Sequence, residues 1–213
     1  MGFQRARSEE QRTERRESIL AVTGDLLAEL PVADITLTEI SKRVGLAKSN
    51  VLRYFESREA VLLEVLARLS REWVDHYGAV AQVPPDGTVG ERIAAVSATY
   101  ARTAVKYPRL LGLLAAQAAV LERNVSTDVV LRFKRSVHAT MADLAVLIGR
   151  ALPELGDRAA EVCALTAITS GALYVQAEQS QRCAPVYAAD PSLGVFRVEL
   201  EPAIGRASCR ERV

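Results

Sequence analysis

The stretch ITLTEISKRVGLAKSNVLRYF, residues 35–55, holds two short apolar repeats separated by a single glycine. Leu37, Ile40 and Val44 recur at i, i+3, i+7, the spacing of one helix face. Val51 and Phe55 recur at i, i+4. Two helices joined so tightly cross at a steep angle, about 90–120°, and need a close approach and a left-handed residue at the turn. Gly45 supplies the turn and Ser41 is small where the helices would touch. The spacing therefore predicts a helix-turn-helix over 36–55.

The rest of the chain reads as further helices, with no convincing strand. Aromatic residues make up only 5% of the 213, which favours helices over sandwiches and barrels. A first helix is predicted from about Ser8 to Leu30, stopped by Pro31, then one over about Leu37–Val44 and one over about Lys48–Phe55. Ser57 reads as the N-cap of a long helix carrying Val61, Leu62, Val65, Leu69, Trp73 and Tyr77 inward. The Pro-Pro-Asp-Gly stretch, 84–87, is the clearest break. A helix through Ile93, Val96 and Tyr100 follows, then PRLLGLLAAQAAVLER with a weak point at Gly112. Ser126 caps a long helix with Phe133, Met141, Leu144 and Ile148 inside, and the last strong pattern covers about Arg158–Gln179. RCAPVYAADPS reads as loop. The expected class is all-α: an N-terminal helix-turn-helix domain over 8–56, a connecting helix over 57–82 and a second helical domain over 83–203.

Composition removes several classes of function. No apolar run approaches the ~18 residues of a membrane span, and the charged start MGFQRARSEEQRTERRE has no secretory apolar core. Cys163, Cys183 and Cys209 are widely spaced, which fits unpaired thiols in a reducing, cytoplasmic setting. His76 and His138 lack neighbours at metal-ligand spacing, so no metal and no cofactor are expected. No nucleophile elbow, phosphate loop or paired-acid motif appears. A catalytic bundle using His138 is the competing reading from another class, and an interaction scaffold is a third.

Charge points elsewhere. The formal net is only +1, yet between residues 40 and 58 Lys42, Arg43, Lys48, Arg53 and Arg58 face a single carboxylate, Glu56. Such a patch in a near-neutral chain suits phosphates. With Val51 and Phe55 turned inward, Ser49, Asn50, Arg53 and Tyr54 turn outward, on a helix that the major groove is wide enough to admit. Asn can bond adenine edges, Arg guanine edges or phosphate, and hydroxyls phosphate oxygens.

These residues carry a resemblance. ITLTEISKRVGLAKSNVLRYFESREAVLLEVL resembles the DNA-binding domain of the TetR family of bacterial transcriptional repressors, across Thr36 to Leu66. The resemblance implies double-stranded DNA with a palindromic operator as partner. Thr36 and Thr38 would touch phosphate, Lys48 and Tyr54 would clamp the backbone, and Ser49, Asn50 and Arg53 would approach bases. One position departs: Leu52 stands where the family usually has Tyr, so a common aromatic contact is missing.

The resemblance also implies a homodimer and a second domain that binds a small effector. Two recognition helices ~34–36 Å apart meet successive major grooves. The small residues Ala164, Ala167 and Gly171 are candidates for the dimer face, with tight packing inside one subunit as the alternative. Tyr100, Gln117, His138, Met141, Thr166 and Tyr174 are candidates for an effector pocket, and the sparse charge beside them favours an apolar ligand.

The chain ends on IGRASCRERV, residues 204–213. This stretch resembles the in-frame translation of a common short-read sequencing adapter, whose next codon is a stop. The expectation is that Ile204–Val213 is not native and that a native final helix is interrupted there. Without these ten residues the net charge changes from +1 to −1.

Overall fold

The computed structural model describes the backbone of residues 2–209 and the side chains of residues 9–208. The fold is all-α, with no strand among the described residues. Among the described residues ten α-helices follow one another: α1 Gly2–Glu29, α2 Leu37–Val44, α3 Lys48–Val51, α4 Arg58–Val80, α5 Val89–Ala104, α6 Pro108–Ala116, α7 Thr127–Ala151, α8 Ala159–Arg182, α9 Ala184–Ala189 and α10 Leu200–Cys209.

The chain forms two compact units. The first runs up to Ala67 and takes in the remote segment Ala116–Phe133, while the second holds Arg68–Ala115 and the chain from Lys134 onward. In the first, Ile19, Leu26, Ile35, Ile40, Val51, Val61, Leu62, Leu66 and Leu121 are almost completely buried. Fully burying one such side chain contributes about 1.5–3 kcal/mol, so this layer holds the short helices in place.

The core of the second unit centres on an aromatic group. Trp73 and Tyr100 meet edge to face with ring centroids 4.9 Å apart, and Tyr77 lies 5.8 Å from Trp73. The Trp73 indole N–H donates to Thr103 Oγ1 at 3.2 Å. Arg92 ties α5 to the end of α7, donating to the Ala151 carbonyl at 2.8 Å and pairing with Glu154. The start of α5 carries a full capping box between Thr88 and Glu91, a Thr-x-x-Glu signature that the apolar pattern hides.

Several elements differ from the sequence expectations. The third helix closes after Val51, and Leu52–Tyr54 form hydrogen-bonded turns, with Arg53 N–H donating to Asn50 O at 3.2 Å and Tyr54 N–H to Val51 O at 3.0 Å. Gly112 sits inside α6 without breaking it; the irregularity is a π-helical turn over Gln117–Leu121. The stretch expected as loop is helical: Pro185 opens α9, and Asp190 caps a 3-10 turn over Pro191–Phe196 by accepting from Ser192 N–H.

At the C-terminal end, α10 packs on α5 and α8, with Ala203 and Ile204 buried. The adapter-like stretch thus begins inside a helix, and its last four residues, 210–213, lie outside the described residues.

Candidate nucleic-acid interface

The site is built on a turn that only glycine suits. Gly45 closes α2 at φ +72°, and the amides of Gly45 and Leu46 return to Lys42 O at 3.3 Å and Ser41 O at 3.0 Å. A Cβ at Gly45 would meet nothing within 4 Å. The requirement is therefore backbone conformation alone, about 1–2 kcal/mol for another residue. Ser41 is buried at the helix contact and its hydroxyl donates to Thr38 O at 3.0 Å.

Past the turn, Val51 is fully buried and Phe55 nearly so. Anchoring two residues four apart, one in α3 and one past the turns that follow it, fixes the orientation of the segment 48–55 and leaves Lys48, Ser49, Asn50 and Arg53 exposed together, with Tyr54 half-buried. Leu52 joins this face at 46% exposure, an apolar side chain where an aromatic was expected. Thr36 and Thr38 are exposed at the start of α2. Thr36 already has a structural task, because its Oγ1 accepts from Glu39 N–H at 3.1 Å as the N-cap.

Two arginines, Arg16 and Arg58, hold this arrangement. Arg16 of α1 donates to the Tyr54 carbonyl at 2.9 Å, pairs with Glu64, and lies 4.2 Å from the centre of the Phe55 ring. A cation over an aromatic face contributes about 0.5–2 kcal/mol, so Arg16 clamps the end of the segment 48–55. Arg58 donates to the Ile35 carbonyl at 2.5 Å and the Ala33 carbonyl at 3.2 Å. It thereby fixes the turn that leads into Thr36.

The cationic patch is smaller than its sequence count. Arg58 is committed to those carbonyls and to Glu59. Arg43 makes a two-pronged pair with Glu29, at 2.8 and 2.5 Å. The hydrogen bond from Arg43 and its charge lower the Glu29 pKa from the ordinary 4.5. Lys42, Lys48 and Arg53 form no ion pair among the described residues. Of the five cations between residues 40 and 58, these three are left for an external anion.

The other candidates scatter. Tyr100 and Thr166 line one small cavity of about 60 Å³ in the second unit, with Ser97, Val96, Ile148 and Cys163 among their neighbours. Burial pushes the Cys163 thiol up to about 11, which leaves it unreactive. Tyr174 is half-buried and donates to Glu178 at 3.1 Å, outside this cavity. Met141 is half-buried and does not line it either. His138 is exposed, because the inward stripe of α7 runs through Phe133, Thr140, Leu144 and Ile148 and passes it by. Gln117 belongs to the first unit, where its amide donates to Glu122 at 2.7 Å.

The small residues of α8 divide as well. A Cβ at Gly171 would lie 2.8 Å from Ala115 N and 3.0 Å from Leu114 C, so this glycine lets α8 lie directly on the backbone of α6. Its observed contact is therefore with α6 of the same chain. Ala167 is half-buried and Ala164 is exposed. Beside Ala164 runs a stripe that the small-residue pattern missed: Leu165, Ile168, Ala172 and Val175, at i, i+3, i+7, i+10, are all exposed, Ile168 at 67%. Heptad-like spacing was the available signal.

No helix among the described residues is long and apolar enough to cross a membrane, and none of their acidic, His and Cys side chains cluster as a metal site.

An all-α chain with a helix-turn-helix presenting a polar face defines the class of helix-turn-helix regulators. Residues 67–207 match the family described as Tetracyclin repressor-like, C-terminal domain. The chain belongs to the TetR family of transcriptional regulators. It is 34% identical over 73 residues to the HTH-type transcriptional regulator EthR of Mycobacterium tuberculosis, and equally to that of Mycobacterium bovis. The alignment spans 34% of this chain and about a third of the length of those relatives. The fold is similar to that of a TetR transcriptional regulator from Rhodococcus sp. RHA1, with a TM-score of 0.55 at 18% identity over 94% of both chains.

Proposed function

We propose that this regulator is a repressor that binds a palindromic operator as a homodimer and leaves it when a small, mostly apolar effector binds. The observation that carries the reading is the exposed set Lys48, Ser49, Asn50 and Arg53, held outward by buried Val51 and Phe55. A solvated surface needs no such anchoring, whereas base readout needs fixed side chains. The relatives named as transcriptional regulators support the same reading.

Dimerisation is supported by the exposed α8 stripe through Leu165, Ile168 and Val175, an apolar face at helix spacing that suits a helix contact. The effector reading is supported by the cavity beside Tyr100 and Thr166, whose walls are mainly aliphatic. At about 60 Å³ it is far below the ~300–1,000 Å³ of a drug-sized site, so the effector must open it further. Binding energy spent on that opening is what would shift a conformational equilibrium.

Fluorescence anisotropy with duplexes from the region beside the chain's own gene tests the reading. Retention of one duplex over random DNA, lost on adding an apolar effector, supports it. A monomer in light scattering that retains no duplex at low salt overturns it.

A further inference from the structure

Beside the reading face lies a groove formed by Gln11, Arg12, Glu14 and Arg15 of α1 with Arg53 and Tyr54. Its volume is about 650 Å³, on the scale of ligand-sized clefts and not of a single-ion niche. Three guanidinium groups share it with one carboxylate, Glu14. Arg12, Arg15 and Arg53 are all exposed, and none forms an ion pair among the described residues.

The groove is also held in shape. Arg16, next in sequence to Arg15, donates to the Tyr54 carbonyl at 2.9 Å and covers Phe55. That clamp fixes the spacing between α1 and the end of the reading segment, so the turn of α1 that carries Arg12 and Arg15 keeps a set position beside Arg53. Gathering uncompensated cations in a fixed groove is unfavourable until an anion enters. Planar guanidinium groups suit phosphate oxygens, which they bind in two-pronged fashion.

We propose that this groove seats the sugar-phosphate backbone of duplex DNA next to the bases that α3 reads, with Arg12 and Arg15 as phosphate contacts. The assignment rests on the DNA-binding reading above. It adds α1 to the DNA-contacting surface and makes Arg53 a shared residue, facing the groove as well as the reading face. Phosphate contacts fix register and carry no sequence information, so their loss weakens all duplexes alike.

The test compares Arg12→Ala/Arg15→Ala with the parent chain on the promoter duplex and on random duplex over a salt series. Two lost phosphate contacts lower the slope of log K against log salt by about 2, equally for both duplexes. Arg12→Lys/Arg15→Lys keeps the charges and retains the slope, and far-UV circular dichroism confirms that each variant is folded. A parental slope in the alanine variant, while Lys48→Ala lowers its own, overturns this assignment and leaves the DNA-binding reading intact. A loss confined to the promoter duplex also overturns it, since that marks base contact. If the parent chain retains no duplex at all, both fail together.

Discussion

The Glu56 carboxylate accepts the backbone N–H of Ser126 at 2.5 Å, joining the residue after Phe55 to the start of α7, 70 residues later. That bond, reinforced by the Ser126 hydroxyl, holds the Glu56 pKa below its ordinary 4.5. The folded value lies under the unfolded one, so the contribution to stability is complete above about 4.5. It is lost as pH falls through the lowered folded value. Glu56→Gln should therefore flatten the acid side of the stability profile, read as melting temperature against pH. Parallel acid limbs for parent and variant would contradict the role given to this bond.

Gly171→Ala sets two effects against each other. Alanine gains about 1 kcal/mol of helix propensity over glycine. The new Cβ, however, falls 2.8 Å from a backbone nitrogen of α6, an atom that cannot step aside as a side chain can. Overpacking of this kind costs about 1–3 kcal/mol, and the clash wins because the obstacle is main chain. The variant should melt several degrees below the parent in calorimetry. An unchanged or raised melting temperature would show that α8 and α6 are not so close.

Ile168→Glu places a charge in the middle of the exposed α8 stripe. The side chain makes no contribution to the core, so the fold should persist in circular dichroism. If the stripe is the subunit contact, multi-angle light scattering should read a monomer where the parent is a dimer. A dimer of parental strength would move the contact elsewhere.

The adapter resemblance of Ile204–Val213 predicts that a genomic read across codon 204 departs from the present sequence. A read encoding all ten residues followed by a stop would contradict it. Ile204 is buried in α10 as any isoleucine on the inner face of a helix would be, whatever its origin.

Legibility in the sequence followed range. Elements defined by their own period and caps were readable: α2 came out over Leu37–Val44 as its apolar spacing implied, and Gly45 turned left-handed as the two-helix turn required. What depends on a partner far along the chain was not. Arg16 sits in a run of charges, QRTERRE, that looks solvated, and its contacts to Tyr54 and Phe55 span 38 residues or more. Arg43 and Arg58 counted as patch charge because their partners, Glu29 and the Ile35 carbonyl, leave no local trace. Gly171 showed that it needed a close neighbour, and only three dimensions could say that the neighbour was α6. His138 and Gln117 do not line the cavity beside Tyr100 for a related reason. A helix's inward stripe is set by what packs on it, and one step of about 100° carries a side chain from core to solvent.

The central claim is that one face of α3 reads DNA, and it is tested most directly by comparing Lys48→Ala with Asn50→Ala on promoter and random duplexes over a salt series. The account predicts that Lys48→Ala weakens both duplexes alike and lowers the salt slope by about 1. Asn50→Ala should cost about 1–3 kcal/mol on the promoter duplex only, at particular base pairs, with the slope unchanged. Equal losses on both duplexes for Asn50→Ala, or no loss for either variant, would contradict it.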